Sequence, residues 1–230
     1  MEHVHAEAPC ASAPLLEGDA EGARMTGGRA AHDHWQTVYR AKQDAELSWF
    51  EEVPCRSLEL VRGLPRVPTS AIDVGGGQSA LAGALLRLGV QRVAVLDLSE
   101  AAIERGKARA GSGAERIEWI AADIRELSAL GAFELWHDRA CLHFLTEDAE
   151  RRRYAALAAQ SVVAGGFALL AGFAPDGPER CSGLPVRRTT AEALAAEFAP
   201  AFTLERALLV THTTPWGKAQ AFEYALLKRL

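Results

Sequence analysis

At 230 residues and 49% hydrophobic, the chain has enough apolar material for one sizeable core and a small cover, which excludes a second large domain. Acidic residues number 30 against 25 basic ones, for a formal charge of -5, and no lysine or arginine tract forms a backbone-binding patch, so a nucleic-acid substrate is not expected. No apolar run approaches the roughly 20 residues that cross a bilayer, so no membrane association and, by default, a cytoplasmic location are expected.

Residues Met1 to Arg29 are rich in Ala, Gly, Glu and Pro without periodicity and read as a flexible leader, 1–29, ahead of a single domain over 30–230. Cys10, Cys55, Cys141 and Cys181 lack any short pair spacing, so neither a metal site nor a disulfide framework is expected. From His32 to Arg62 the pattern becomes helical. Trp35, Val38 and Tyr39 share one face, and Leu58 and Val61 mark a second short helix after the Pro54 break, making a helical cover over 32–62.

From Ser70 strands and helices alternate. Strands are predicted over 71–74, 92–98, 117–121, 133–136 and 167–172, with helices starting near Ala80, Glu100 and Glu147. Such spacing predicts parallel strands with helices on both faces. After Phe173 a proline- and glycine-rich stretch reads as loop, and a helix starts at Thr189 or Thr190. Two last strands, 202–210 and 221–227, are joined by a short turn-rich segment, which predicts an antiparallel C-terminal edge. The arginine groups 151–153 and 187–188 read as solvated faces.

The first strand ends at Asp73 and Val74 and runs into Gly75, Gly76 and Gly77 before a helix, while the second ends at Asp97 and Leu98. Glycines permit close backbone approach to a ligand, and a carboxylate at a strand end accepts hydrogen bonds from paired ribose hydroxyls. The spacing lacks the third glycine of a dinucleotide fingerprint, and no GKS or GKT ending is present, which disfavours NAD and ATP. The third strand is followed by Asp123 and Ile124, and the fourth by His137, Asp138 and Arg139.

These four motifs in strand order resemble the class I S-adenosylmethionine-dependent methyltransferases over about Trp35 to Leu230. The resemblance implies a seven-stranded Rossmann-like α/β sheet. It also implies S-adenosyl-L-methionine as cofactor: Asp73, Gly75, Gly76 and Gly77 at the first motif, Asp97 and Leu98 at the ribose, Asp123 and Ile124 beside adenine, and His137 at the methionine end. Trp35 and Tyr39 of the aromatic preface would close over that end, and Ser79 departs from the glycine often found there in relatives.

In LWHDRACLHFL, His143 is the candidate general base, with Asp138 orienting a histidine or the substrate. Arg139 reads equally as a carboxylate selector or an internal ion-pair member. Cys141 with Cys181 raises the lesser reading of metalloid coordination. The function expected is methyl transfer to an oxygen, nitrogen or sulfur nucleophile on a small molecule. A protein-lysine substrate and a noncatalytic nucleoside-binding regulator stay open as alternatives, as does the oligomeric state.

Overall fold

The computed structural model describes residues 28–230, so Cys10 and all but Gly28 and Arg29 of the expected leader lie outside the described residues. Those two open the first helix, α1 (Gly28–Ala41), four residues before the expected start at His32. A second helix, α2 (Cys55–Arg62), begins directly after Pro54, whose ring is accommodated at a helix start.

The alternating region then unrolls as β1 (Ser70–Val74), α3 (Leu81–Arg87), β2 (Arg92–Asp97), α4 (Glu100–Ala110), β3 (Ile117–Ala121), β4 (Phe133–Arg139), α5 (Asp148–Ser161) and β5 (Val162–Phe173). A two-residue hairpin, β6 (Arg180–Cys181) and β7 (Leu184–Pro185), sits within the segment expected to be loop. The chain closes with α6 (Ala191–Phe198), β8 (Phe202–Thr213) and β9 (Ala219–Arg229). Ser99 caps α4 by accepting from the Ala102 N–H, and Thr190 caps α6 by accepting from the Ala193 N–H.

Seven strands form one sheet in the order β3-β2-β1-β4-β5-β9-β8. All neighbours are parallel except β9, which runs antiparallel to both β5 and β8, the expected C-terminal edge. The chain builds outward from β1 through β2 to β3 and then crosses to β4 on the other side of β1. That reversal opens a crevice beyond the carboxyl ends of β1 and β4, where α/β sheets bind ligands.

Residue alternation sorts the strands' side chains between two apolar layers. Ala71, Val93, Val95, Leu135 and Leu169 face a layer with Leu58, Val61, Leu81 and Leu85 of α2 and α3. Ile72, Ala94, Leu96, Trp136 and Leu170 face the opposite layer with Tyr154, Leu157, Leu194 and Phe198 of α5 and α6. The same alternation puts Asp73, Asp97 and His137 on the α2/α3 side and Asp138 on the α5 side.

Two boundaries matter for the site. β4 runs three residues past its expected end at Trp136, so His137, Asp138 and Arg139 are strand residues rather than a mouth loop. Arg151, expected to be solvated, is buried instead, donating to the Leu142 and Leu145 carbonyls and pairing with Glu197 at 2.7 Å. Leu135 is fully buried at the sheet centre. Leu135→Ala is expected to lower unfolding free energy by about 2–5 kcal/mol, checked by chemical denaturation.

Candidate cofactor and acceptor site

The turn after β1 is held by the Gly75 N–H, which donates to the Leu96 carbonyl at 2.7 Å. Gly75 has φ +70°, and a Cβ there would stand 2.7 Å from the Cys141 Cβ, so only glycine lets the turn pass this close to the end of β4. A glycine that the sequence reading passed over completes the packing: a Cβ on Gly106 of α4 would lie 2.0 Å from the Gly77 carbonyl oxygen. Its signal was a glycine in a helix interior, where propensity alone disfavours one.

Asp97 is the hub. One carboxylate oxygen accepts from the Gly77 N–H at 3.0 Å and the other from the Ser99 N–H at 2.8 Å, tying the glycine turn to the start of α4. Ser99 in turn donates to the Gln36 side-chain carbonyl at 2.7 Å, and the Ala101 N–H donates to the same oxygen at 2.9 Å. Gln36, on α1, is the latch that brings the helical cover over this strand end, and its spacing from Trp35 carried no sequence signal. Burial pushes the Asp97 carboxyl up to about 6 against the opposing pull of its backbone donors.

A cavity of about 660 Å³ opens beside this hub. Its cofactor side presents Gly75, Leu96, Asp97, Leu98, Ala122, Asp123 and Ile124. Asp123 is held by Arg125, whose guanidinium reaches both carboxylate oxygens at 2.6–3.0 Å. Opposite stand Trp35, Tyr39, Trp49 and Phe144, with Trp35 in edge-on contact with Trp49 (centroids 5.7 Å apart) and Phe144 (5.0 Å). Burial raises the Tyr39 hydroxyl well above its ordinary range, so it is a neutral group, hydrogen-bonded to Trp49. Leu184, Pro185 and Cys181 bring the 174–188 segment to the rim, and Glu147 and Glu150 bring α5.

The remaining expected residues fall elsewhere. Asp73, Gly76 and His137 line a smaller recess of about 60 Å³, which shares Tyr39, Trp49, Gly75 and Arg139 with the main cavity. Gly77 lines neither and acts through Asp97.

Asp138, expected to orient a base or substrate, is fully buried on the opposite face of β4. Its carboxylate accepts from the Cys141 and Leu142 N–H groups and from the Tyr154 hydroxyl, so it braces the turn after the strand. His143 also lies outside the cavity lining. Its ring packs against Phe144 and Phe173, centroids 4.3 and 5.0 Å away, and burial drives the imidazole down to about 3. The geometry therefore gives neither residue a contact with the cavity.

Arg139 resolves as an internal ion-pair member: it pairs with Glu51 at 3.0 Å and donates to the Trp49 carbonyl and the Tyr224 hydroxyl. Cys141 and Cys181 both line the cavity, but among the described residues no three metal-binding side chains cluster. No helix there is long and apolar enough to cross a membrane.

Residues 71–166 match the family model described as a methyltransferase domain. With that match, the strand order and the glycine turn facing a strand-end acid, the chain belongs to the class I S-adenosylmethionine-dependent methyltransferases. No curated protein matches it.

Among solved structures it is similar to the Burkholderia thailandensis 1,6-didemethyltoxoflavin-N1-methyltransferase bound to 1,6-didemethyltoxoflavin and S-adenosylhomocysteine (TM-score 0.71, 23% identity, 94% of this chain and 99% of that one). It is also similar to a structure concerned with conversion of a disulfide bond into a thioacetal group during echinomycin biosynthesis (TM-score 0.70, 20% identity, 86% and 92%). A third is the N-methyltransferase NodS from Bradyrhizobium japonicum with S-adenosyl-L-homocysteine (TM-score 0.65, 17% identity, 85% and 98%). At these identities the likeness speaks for the fold.

Ribose hydroxyls donate to an ionised Asp97, so binding favours the deprotonated carboxyl. Affinity for S-adenosylhomocysteine is then expected to be level above about pH 7 and to fall as pH drops through about 6, where Asp97 takes up its proton. Asp97→Asn should weaken binding by about 1.5–3 kcal/mol above pH 7 and flatten the profile, read by titration calorimetry.

Proposed function

We propose that the protein transfers a methyl group from S-adenosyl-L-methionine to a nitrogen nucleophile on a small, planar, uncharged or cationic acceptor. The carrying observation is that one cavity joins the nucleoside-facing groups Gly75, Asp97 and Ile124 to the aromatic wall of Trp35, Tyr39, Trp49 and Phe144.

The residues present fit the cofactor. The Asp97 carboxylate faces the cavity as an acceptor for ribose hydroxyls, and the Leu98 and Ile124 side chains offer apolar walls to adenine beside Asp123. The bound cofactor supplies an electrophilic methyl group on a sulfonium. The chain's own part is to hold the acceptor in line, exclude water and leave its lone pair available.

Three features support the acceptor class. The aromatic wall gives a planar ring a stacking surface. Both arginines at the cavity are engaged, Arg125 by Asp123 and Arg139 by Glu51, so an anionic acceptor meets no unpaired cation among the described residues. Glu147 and Glu150 at the rim favour a neutral or positive molecule. With His143 away from the cavity, the best-suited acceptor atom already bears a lone pair near neutral pH, as amine and heterocyclic nitrogens do. The Burkholderia protein's ligand, 1,6-didemethyltoxoflavin, goes with a methyltransferase named for a nitrogen position. The cover of α1 and the β6–β7 hairpin over the cavity favours a small molecule over a protein lysine.

The test is a panel of amines, nitrogen heterocycles, phenols, thiols and lysine peptides incubated with S-adenosylmethionine and read by mass spectrometry. Methylated heterocycles or amines are expected. Phenols, thiols or peptides as the preferred acceptors would overturn the nitrogen or small-molecule reading, and cofactor binding without turnover across the panel would favour the regulatory alternative. Trp35→Ala should raise KM for the accepted compound about tenfold with a smaller change in cofactor affinity, because a lost aromatic contact weakens ring binding by about 0.5–1.5 kcal/mol beyond its buried area.

A further inference from the structure

The small recess is served by a run of buried polar side chains that the proposed transfer does not itself require. Parallel pairing sets Asp73 of β1 beside His137 of β4, and their side chains project to the α2 side of the sheet. There His137 Nδ1 lies 2.6 Å from Asp73 Oδ1, and His137 Nε2 lies 2.8 Å from the Ser57 hydroxyl of α2. Ser57 also bonds the Tyr224 hydroxyl, which accepts from Arg139 Nε at 3.1 Å. Ser57, Asp73 and His137 are all at least 97% buried.

The direction of this run follows from what each group has to offer. An ionised carboxylate only accepts, so the hydrogen sits on His137 Nδ1. The neutral imidazole then accepts at Nε2 from the Ser57 O–H, and Ser57 accepts from Tyr224 in turn. Every donor from Arg139 onward therefore points toward Asp73, and the run ends on Oδ1.

The other oxygen, Asp73 Oδ2, is buried and has no hydrogen-bond partner among the described residues. Its residue lines the recess with Gly75, Gly76 and Tyr39. A buried, unpaired carboxylate oxygen is unfavourable, and the natural complement is a donor-only cation. The recess opens off the cavity beside the glycine turn, and Arg139 also lines it. A primary ammonium fits that acceptor.

We propose that Ser57 and His137 are positioning residues that clamp Asp73, so that its unpaired oxygen receives the α-ammonium of the cofactor's amino-acid end in the small recess. The inference rests on the cofactor reading above. A simple tie between α2 and the sheet would use the same hydrogen bonds but would not distinguish between ligands with and without that ammonium.

The experiment is titration calorimetry with S-adenosylhomocysteine, which carries the amino-acid end, beside 5′-methylthioadenosine, which lacks it. Wild type, Ser57→Ala, His137→Leu and His137→Asn are compared, the last because an Asn amide retains a donor toward Asp73. Ser57→Ala is expected to weaken S-adenosylhomocysteine by roughly fivefold and His137→Leu by more, with 5′-methylthioadenosine unchanged and serving as the folding control. His137→Asn should recover part of the loss.

Equal loss for both ligands, no loss for either, or no difference between His137→Leu and His137→Asn would overturn the positioning role while leaving cofactor binding intact. Wild type that binds neither ligand would overturn the cofactor reading and this inference with it.

Discussion

The site depends on one buried carboxylate. Asp97 ends β2 where the chain must turn into α4, and its two oxygens take the N–H groups of Gly77 and Ser99. Those bonds hold the glycine turn against the next helix, while Ser99 and Ala101 reach Gln36 and so anchor the α1 cover. The acid is costly where it stands, since burial alone lifts it to about 6. Such a group persists where it also has work to do, and its exposure to the cavity indicates what that work is.

The opposite face of the sheet supports this arrangement without touching the ligand. Asp138 braces the turn after β4 through Cys141, Leu142 and Tyr154, and Arg151 holds the carbonyls of Leu142 and Leu145 from α5. Phe144 and Leu145 are thereby presented to the cavity. Two neighbouring strand residues thus play unlike parts: His137 serves the recess on one face, and Asp138 stiffens the turn from the other.

The aromatic cover and the engaged arginines give the cavity its character. Trp35, Tyr39 and Trp49 come from the preface before the alternating fold, and Phe144 comes from the turn that Asp138 braces. With Arg139 bound to Glu51 and Arg125 to Asp123, the site offers ring faces and acceptors more than unpaired positive charge. An acceptor that brings its own lone pair suits such a cavity, because stacking and exclusion of water are what it supplies.

Much of the frame was legible in the residues alone. The alternation from β1 onward, the glycine turn at 75–77, the acids at 73, 97 and 123, and the antiparallel last strands all follow from local periodicity and turn chemistry, which depend on near neighbours in sequence. The roles of His137, Asp138 and His143 did not, because whether a residue faces the cavity depends on where β4 ends and on which side of the sheet its side chain emerges. A three-residue extension of β4 placed Asp138 under Tyr154, and His143 packed among Phe144 and Phe173. Gln36, Ser57, Gly106 and Arg151 were silent for the same reason: each acts on a group at least nine residues away through contacts that exist only once helices lie on the sheet. The sequence by itself determined the strand order's grammar and the ligand-facing acids; only tertiary packing decided which polar side chains meet the ligand and which hold the others in place.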